Sequence, residues 1–553
     1  MNRRRFFETS CMAAIAALGV RSDGRAIPAV PAPRSQPRRA QLTVLWGDRV
    51  GKISKNVYGH FAEHLGGCVD GGMWVGTDSA VPNYEGLRRD TIEALKRIQA
   101  PVIRWPGGCF ADSYHWRDGV GPREKRPKTL NYWWPRDESN AFGSDEFLRY
   151  CKLSGTDPCI CLNVGSGTVR EAIEWLEYCN GKQPTAMTEL RVANGHPEPY
   201  NVRYWAVGNE NWGCGGKFDA EDYAREYARY VNYLSQVAAG SGAEFIACGE
   251  YGKLDEEWNQ KFFETLLKRP DARGRITGVN HLSVHHYLQC GPSVKFSDAE
   301  YYGLLAGVVV LEAHIRKTIG LINYYTTPGG PNIGIALDEW GVWHPDAGTG
   351  ARALLQSNTL RDALLAAVVL NSLNQFGSAI SMANIAQTFN VLQSMAFTRG
   401  PALVLTPTYY AFDLYQPHME AMGLKVAIDS PTFKAKSPRE WFTPGSGDAE
   451  TTRDELSASA SLREREKRVC ITMVNQHLTE PLEVEILLAG LDGSAARGGS
   501  LRELTSVNVR DENTFEKPRV VGPPVGRQVS YKGNRFVHVI PAHSVHALLL
   551  DVA

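Results

Sequence analysis

Eight times along this chain a short apolar or β-branched run is followed by a stretch with helical spacing, and no other feature constrains the fold as tightly. The runs fall at 56–63, 101–107, 158–164, 203–209, 244–249, 281–287, 332–338 and 378–386. Strands buried on both faces need that continuous apolar character. Helices are expected after them at 88–99, 144–154, 168–179, 219–237, 255–268, 299–325, 354–376 and 407–419. In the fourth, Asp219 stands at the capping position, Glu221 and Asp222 occupy the first turn, and Tyr223, Tyr227, Tyr230 and Leu234 recur at helical spacing. Eight alternations predict the α/β class, as a (β/α)8 TIM barrel of parallel strands.

After residue 419 the texture changes. Residues 433–467 are rich in Ser, Pro, Glu and Arg and read as a loop-like insert. Short runs at 469–474, 482–488, 505–509, 535–539 and 545–550, separated by turn residues, predict a C-terminal all-β sandwich, jelly-roll-like. The segment 41–46 reads as one more strand that joins it. The expected organisation is an export signal and linker over 1–40, an N-terminal strand for the β-domain over 41–54, the barrel over 55–400 and the C-terminal region over 401–553.

Sixty basic and sixty acidic residues cancel, and no basic stripe offsets that balance, so nucleic acid is not an expected partner. Three arginines at 3–5, an apolar stretch over 11–20 and Pro/Ala-rich sequence to residue 33 fit a twin-arginine-like export signal, which places the expected product in the periplasm or outside the cell. No later segment is long and apolar enough to cross a membrane. The eleven cysteines are scattered, with no Cys-x-x-Cys pair, and read mainly as packed thiols. Cys159 and Cys161 share one face of a strand and make a poor bridge.

Chemistry should collect where barrel strands end. There the sequence places Glu63 and His64, Arg104 and Cys109, Asn209 and Glu210, His285 and Tyr287, Asp338 and Glu339, and Gln387. Eight of the thirteen tryptophans lie in these mouths or the loops beyond: Trp105, Trp116, Trp133, Trp134, Trp205, Trp212, Trp340 and Trp343. Indole faces suit sugar rings. Two carboxylates facing one cleft, Glu210 and Glu339, are the minimum equipment for cleaving a glycosidic bond. His285 and His286 are adjacent on a strand and point to opposite faces, so no metal site is expected. Gly165 and Gly167 precede a helix without the rest of a phosphate-loop fingerprint.

The segments 58–65, 104–110, 114–122, 207–212, 335–340 and 386–391 together resemble glycoside hydrolase family 51, the α-L-arabinofuranosidases. The resemblance runs from about residue 41 to the C-terminus. It implies a retaining enzyme with Glu210 as acid/base, Glu339 as nucleophile and Asn209 bonded to the sugar 2-hydroxyl. It also implies that Glu63, Cys109, Tyr287 and Gln387 line the arabinose subsite. Many relatives carry Asn in place of Cys109, and a thiol is the poorer hydrogen-bond partner. Arg104, His285 and Trp343, at the same mouth, complete the expected binding set, with no cofactor. The implied substrate is a terminal arabinofuranosyl group on arabinoxylan, arabinan or their oligosaccharides, and the implied assembly a homo-oligomer. An endoglucanase or β-xylosidase on the same frame, and a non-hydrolytic glycan-binding protein, are the competing readings.

Overall fold

A computed structural model describes residues 38–250, 257–270, 272, 275–326, 332–350, 353–436, 450–491 and 496–552. The leader expected over 1–40 lies almost wholly outside the described residues.

The barrel strands are Gly59–Phe61, Val102–Trp105, Asp157–Leu162, Tyr204–Val207, Glu244–Ala247, His281–Leu288, Gly334–Val342 and Ile380–Ala386, and they close into one ring. Neighbours pair in parallel throughout, and the eighth strand meets the first through Asn384 opposite Gly59. Val102, Cys159, Cys161, Ala206, Ile246, Ala336 and Met382 form a small separate apolar cluster within this ring. Their neighbours on the opposite strand faces, such as Ile103, Ile160 and Leu337, belong to the larger core under the helices. This alternation reflects the two-residue period of a strand covered on both sides.

The helices follow the expected spacing with two differences. The stretch 299–325 is two helices, Asp298–Ala306 and Val308–Tyr325, broken at Gly307. An additional helix, Ala186–Ala193, is capped by Thr185, whose hydroxyl accepts from the Thr188 N–H. No described helix is long and apolar enough to cross a membrane.

The C-terminal region builds a nine-stranded sheet. Its spatial order is Val525–Val529, Ala496–Leu504, Ser544–Val552, Arg468–Asn475, Leu456–Arg463, Met422–Asp429, Arg38–Lys52, Leu482–Ala489 and Arg535–Ile540. The pair Arg38–Lys52 and Leu482–Ala489 is parallel and the rest antiparallel. Leu42, Val44, Leu424, Ile471, Val484 and Ile486 anchor a core separate from the barrel's. The run at 505–509 follows a strand, Ala496–Leu504, and does not form one.

The loop-like reading of 433–467 needs correction over its described residues; 437–449 lie outside them. Thr432–Lys436 pairs antiparallel with Glu450–Asp454, and Leu456–Arg463 is an inner strand of the large sheet. Leu456, Ala458, Ala460 and Leu462 alternate into the sheet core. Serines on the other face meet a buried polar seam instead of water. There Asn371 Oδ1, on the helix Leu360–Phe376, accepts from Tyr415 (2.8 Å), Ser459 (2.9 Å) and Thr472 (2.7 Å). Small, half-polar side chains thus fill a fully covered strand and give it a loop's composition.

Candidate active site

The polar strand ends converge on one mouth of the barrel. Parallel register sets His285 directly opposite Glu339, with a register shift between Ser283 and His285 that re-aims the sixth strand. Across the mouth, Arg104 rises from the second strand, fully buried. Its guanidinium donates to Glu339 Oε1 (3.0 Å) and Asn209 Oδ1 (2.5 Å), and its Nε lies 3.2 Å from Asp338 Oδ2. Tyr287 donates to Glu339 Oε2 at 2.8 Å. Both oxygens of Glu339 are therefore fixed.

His285 ties the two glutamates together. Its Nδ1 lies 2.9 Å from Glu210 Oε1 and 3.7 Å from Glu339 Oε2, and its Nε2 lies 3.3 Å from Asp338 Oδ1. One ligand atom from each of Glu210, His285 and Glu339 falls within 4.8 Å of the others. A second such set is Cys109, Glu210 and Cys214. As potential ion sites both are already committed among the described residues: the imidazole nitrogens to carboxylates, and the two sulfurs to each other. His286 turns to the opposite face, toward His314.

Electrostatics follow from burial set against this pairing. Burial pulls the His285 imidazole toward neutrality, but the charge of Glu339 and bonds to Asp338 and Glu210 outweigh it and lift it to about 10. Burial raises Asp338 less than Arg104, His285 and Ser283 lower it, so it stays below the usual carboxylate range. Arg104 and Tyr287 bond Glu339 and oppose any rise. Burial dominates and moves Glu339 upward, with Glu210 adding to the rise and His285, Arg104 and Tyr287 opposing it. Burial likewise pushes Glu63 up to about 7, against the Phe110 N–H that bonds it at 3.0 Å.

These shifts give a stability test. His285 is raised in the fold, so its contribution is complete below its ordinary 6.5 and is lost as pH rises toward about 10. Wild-type stability should decline across that window faster than that of His285→Asn, by up to about 1.4 kcal/mol per pH unit. Denaturant unfolding at several pH values measures the difference. Parallel curves would refute the assignment of a buried imidazolium.

The remaining expected residues sit around the same hollow. Gln387 Nε2 donates to Glu63 Oε2 (3.2 Å), and Trp343 meets Tyr287 edge to face with centroids 5.6 Å apart. Gly108 passes so close that a Cβ there would lie 2.8 Å from Glu339 Oε1, which leaves room only for glycine. Two expectations change. Cys109 is not a thiol but is bonded to Cys214, and the other described cysteines are free. Trp105, Trp116, Trp205 and Trp340 are fully buried core residues, whereas Trp133 is exposed and Trp134, Trp212 and Trp343 are partly buried.

Asp112 was not singled out from the sequence. Its buried carboxylate accepts from the N–H groups of Val164 (2.7 Å), Gly165 (2.8 Å) and Asn209 (2.7 Å), so it sets the backbone that carries Glu210. Burial still outweighs those bonds and raises it to about 7. Because its partners are backbone groups, no side-chain pattern announces it. A cleft of about 1480 Å³ near Arg123, Asp145 and Lys152 is lined by none of these groups.

Known proteins are similar to this chain over nearly its whole length. The family model of the α-L-arabinofuranosidase 1 domain matches residues 94–289, and that of the α-L-arabinofuranosidase C-terminal domain matches 338–544. An intracellular exo-α-L-arabinofuranosidase of Bacteroides ovatus is 36% identical over 525 residues, covering 94% of this chain and 96% of that protein. α-L-Arabinofuranosidase C of Emericella nidulans is 32% identical over 511 residues, covering 90% and 95%. The crystal structure of a family 51 arabinofuranosidase from Xanthomonas axonopodis pv. citri aligns with a TM-score of 0.83 at 34% identity, covering 93% of this chain and all of that one (100%). An arabinose complex of the Thermotoga maritima α-L-arabinofuranosidase aligns with a TM-score of 0.80 at 32% identity, covering 92% and 99%.

The expectation of twin-arginine export to the periplasm or medium does not stand. The Bacteroides relative, matched over 94% of this chain, is named an intracellular enzyme. The export reading rests on composition alone, a basic stretch followed by an apolar one. By sequence match, barrel geometry and paired carboxylates, the chain belongs to glycoside hydrolase family 51, the α-L-arabinofuranosidases.

Proposed function

We propose that the enzyme is a retaining, exo-acting α-L-arabinofuranosidase. It removes terminal arabinofuranosyl groups from arabinoxylan, arabinan or their oligosaccharides by double displacement. The observation that carries this reading is the proximity of Glu210, His285 and Glu339, with one ligand atom of each within 4.8 Å of the others. Retaining glycosidases hold their two carboxyl groups about 5–5.5 Å apart, whereas inverting ones leave room for a water at about 6.5–9.5 Å. The Bacteroides relative's name supports the exo assignment, and the arabinose in the Thermotoga structure supports the sugar.

In the first step, a Glu339 oxygen attacks the anomeric carbon while Glu210 gives its proton to the departing oxygen. In the second, Glu210 takes a proton from water, the water oxygen attacks the same carbon, and the sugar–Glu339 ester bond breaks. The bonding separates the two roles: Glu339 is held by Arg104 and Tyr287 as the attacking carboxylate, whereas Glu210 bonds neither of them and exchanges the proton with the leaving group. Once Glu339 is esterified its negative charge is gone, and Glu210 can act as base. Asn209, with its oxygen held by Arg104, presents its Nδ2 to a sugar hydroxyl, and Glu63 and Gln387 supply further partners. The C-terminal sheet, locked to the barrel through Asn371, serves as a structural support, and the assembly is a homo-oligomer.

Proton NMR of the first-formed sugar decides the stereochemistry. The expected product is the α-anomer of L-arabinofuranose before mutarotation. The β-anomer as first product would remove Glu339 as nucleophile.

A further inference from the structure

We propose that the Cys109–Cys214 disulfide is a reversible positioning device for the acid/base carboxyl, so that the redox state of this pair sets how well the enzyme expels a poor leaving group. The inference rests on the reading of Glu210 as acid/base.

The disulfide joins two catalytic loops. Cys109 follows Gly107 and Gly108 at the end of the second strand, and Cys214 lies four residues beyond Glu210, 105 positions away in sequence. Glu210 itself has φ +43°, the left-handed region, which costs a non-glycine residue roughly 1–2 kcal/mol. Such a conformation persists only where its surroundings over-determine it. Here the Gly213 and Gly215 N–H groups both donate to the Glu210 carbonyl (2.6 and 3.1 Å), Asn211 donates to the Gly215 carbonyl (2.7 Å), and the disulfide ties this turn to the second strand.

The sulfur also touches the reacting group. Cys214 Sγ lies 3.5 Å from Glu210 Oε2, while Oε1 faces His285. As a disulfide sulfur it carries no proton, so Oε2 remains the oxygen on which the transferable proton can sit. As a thiol it would donate to that oxygen and favour the anion. The other titratable groups facing Glu210 are His285 and Tyr287 from the sixth strand, Glu339 from the seventh and Cys248 after the fifth. Both bridged cysteines are half-buried at the mouth, so a dithiol reductant can reach the bond. It breaks the S–S bond, delivers two electrons and two protons to give two thiols, and itself closes to a disulfide.

The test uses the full chain before and after treatment with dithiothreitol, with thiols counted under native conditions. Reduction should expose two additional thiols. It should lower kcat/KM for methyl α-L-arabinofuranoside about tenfold, a part of the 10²–10⁴-fold that general acid catalysis supplies. For 4-nitrophenyl α-L-arabinofuranoside the change should be less than about threefold, since that leaving group needs no proton. The alkaline limb of the methyl glycoside profile should move to lower pH, and reoxidation should restore it. Cys214→Ser should resemble the reduced enzyme and ignore dithiothreitol. Two new thiols with both substrates unaffected, or equal losses on both together with a lower Tm, would overturn the inference while leaving Glu210 as acid/base. Failure of Glu210→Ala to discriminate between the two substrates would overturn both.

Discussion

Replacing Glu339 with alanine is expected to remove turnover on every arabinofuranoside, activated or not, by roughly 10⁴-fold or more, the scale on which loss of a covalent nucleophile is felt. The neighbouring carboxylates are otherwise engaged: Glu210 has the proposed acid/base role, Asp338 is committed to Arg104, Ser283 and His285, and Glu63 to the Phe110 N–H and Gln387. The variant should fold, because Asp338 still neutralises Arg104 after Glu339 is gone. Removing the only partner of a buried charge costs about 3–5 kcal/mol, but that situation does not arise here. Activity on 4-nitrophenyl α-L-arabinofuranoside, with substrate binding followed separately, checks the result. A variant that binds arabinose yet retains more than about 1% of wild-type kcat would show that another group attacks the anomeric carbon.

Much of this site was legible because barrel strands advertise themselves. A run such as 332–338 is apolar because both faces are covered, so the acid that ends it stands out against its own strand. Glu210, Glu339, Arg104 and Tyr287 were visible in that way. What stayed hidden shares a different character. Asp112 acts through backbone N–H groups, which every residue possesses. The Cys109–Cys214 pairing depends on two loops meeting across 105 residues, and only the barrel's closure brings them together. Composition misled at Leu456–Arg463, where alternating Ser and Ala serve two covered faces, one apolar and one hydrogen-bonded. The mouth tryptophans misled for a related reason. Trp105 stacks on Phe147 at 4.8 Å and meets Trp175 edge to face, so its bulk fills the barrel–helix layer and not a sugar site.

Glu210→Ala should separate two substrates that Glu339→Ala treats alike. With methyl α-L-arabinofuranoside, whose alkoxide leaves only with a proton, kcat/KM is expected to fall about 10²–10⁴-fold. With the 4-nitrophenyl glycoside, whose phenolate leaves unaided, kcat/KM should stay within about tenfold of wild type, since that parameter reports the first step alone. Its kcat should nevertheless drop, because hydrolysis of the sugar–Glu339 ester now lacks a base. The ester should accumulate, seen as a burst of nitrophenolate approaching one equivalent of enzyme and as an added arabinosyl mass on the peptide containing Glu339. The geometry behind this split is specific. Glu210 shares His285 with Glu339 but makes no bond to Arg104 or Tyr287, so its removal leaves the nucleophile's partners in place. Equal losses on both glycosides, with no burst, would mean that Glu210 supports the fold of the mouth and does not move the proton.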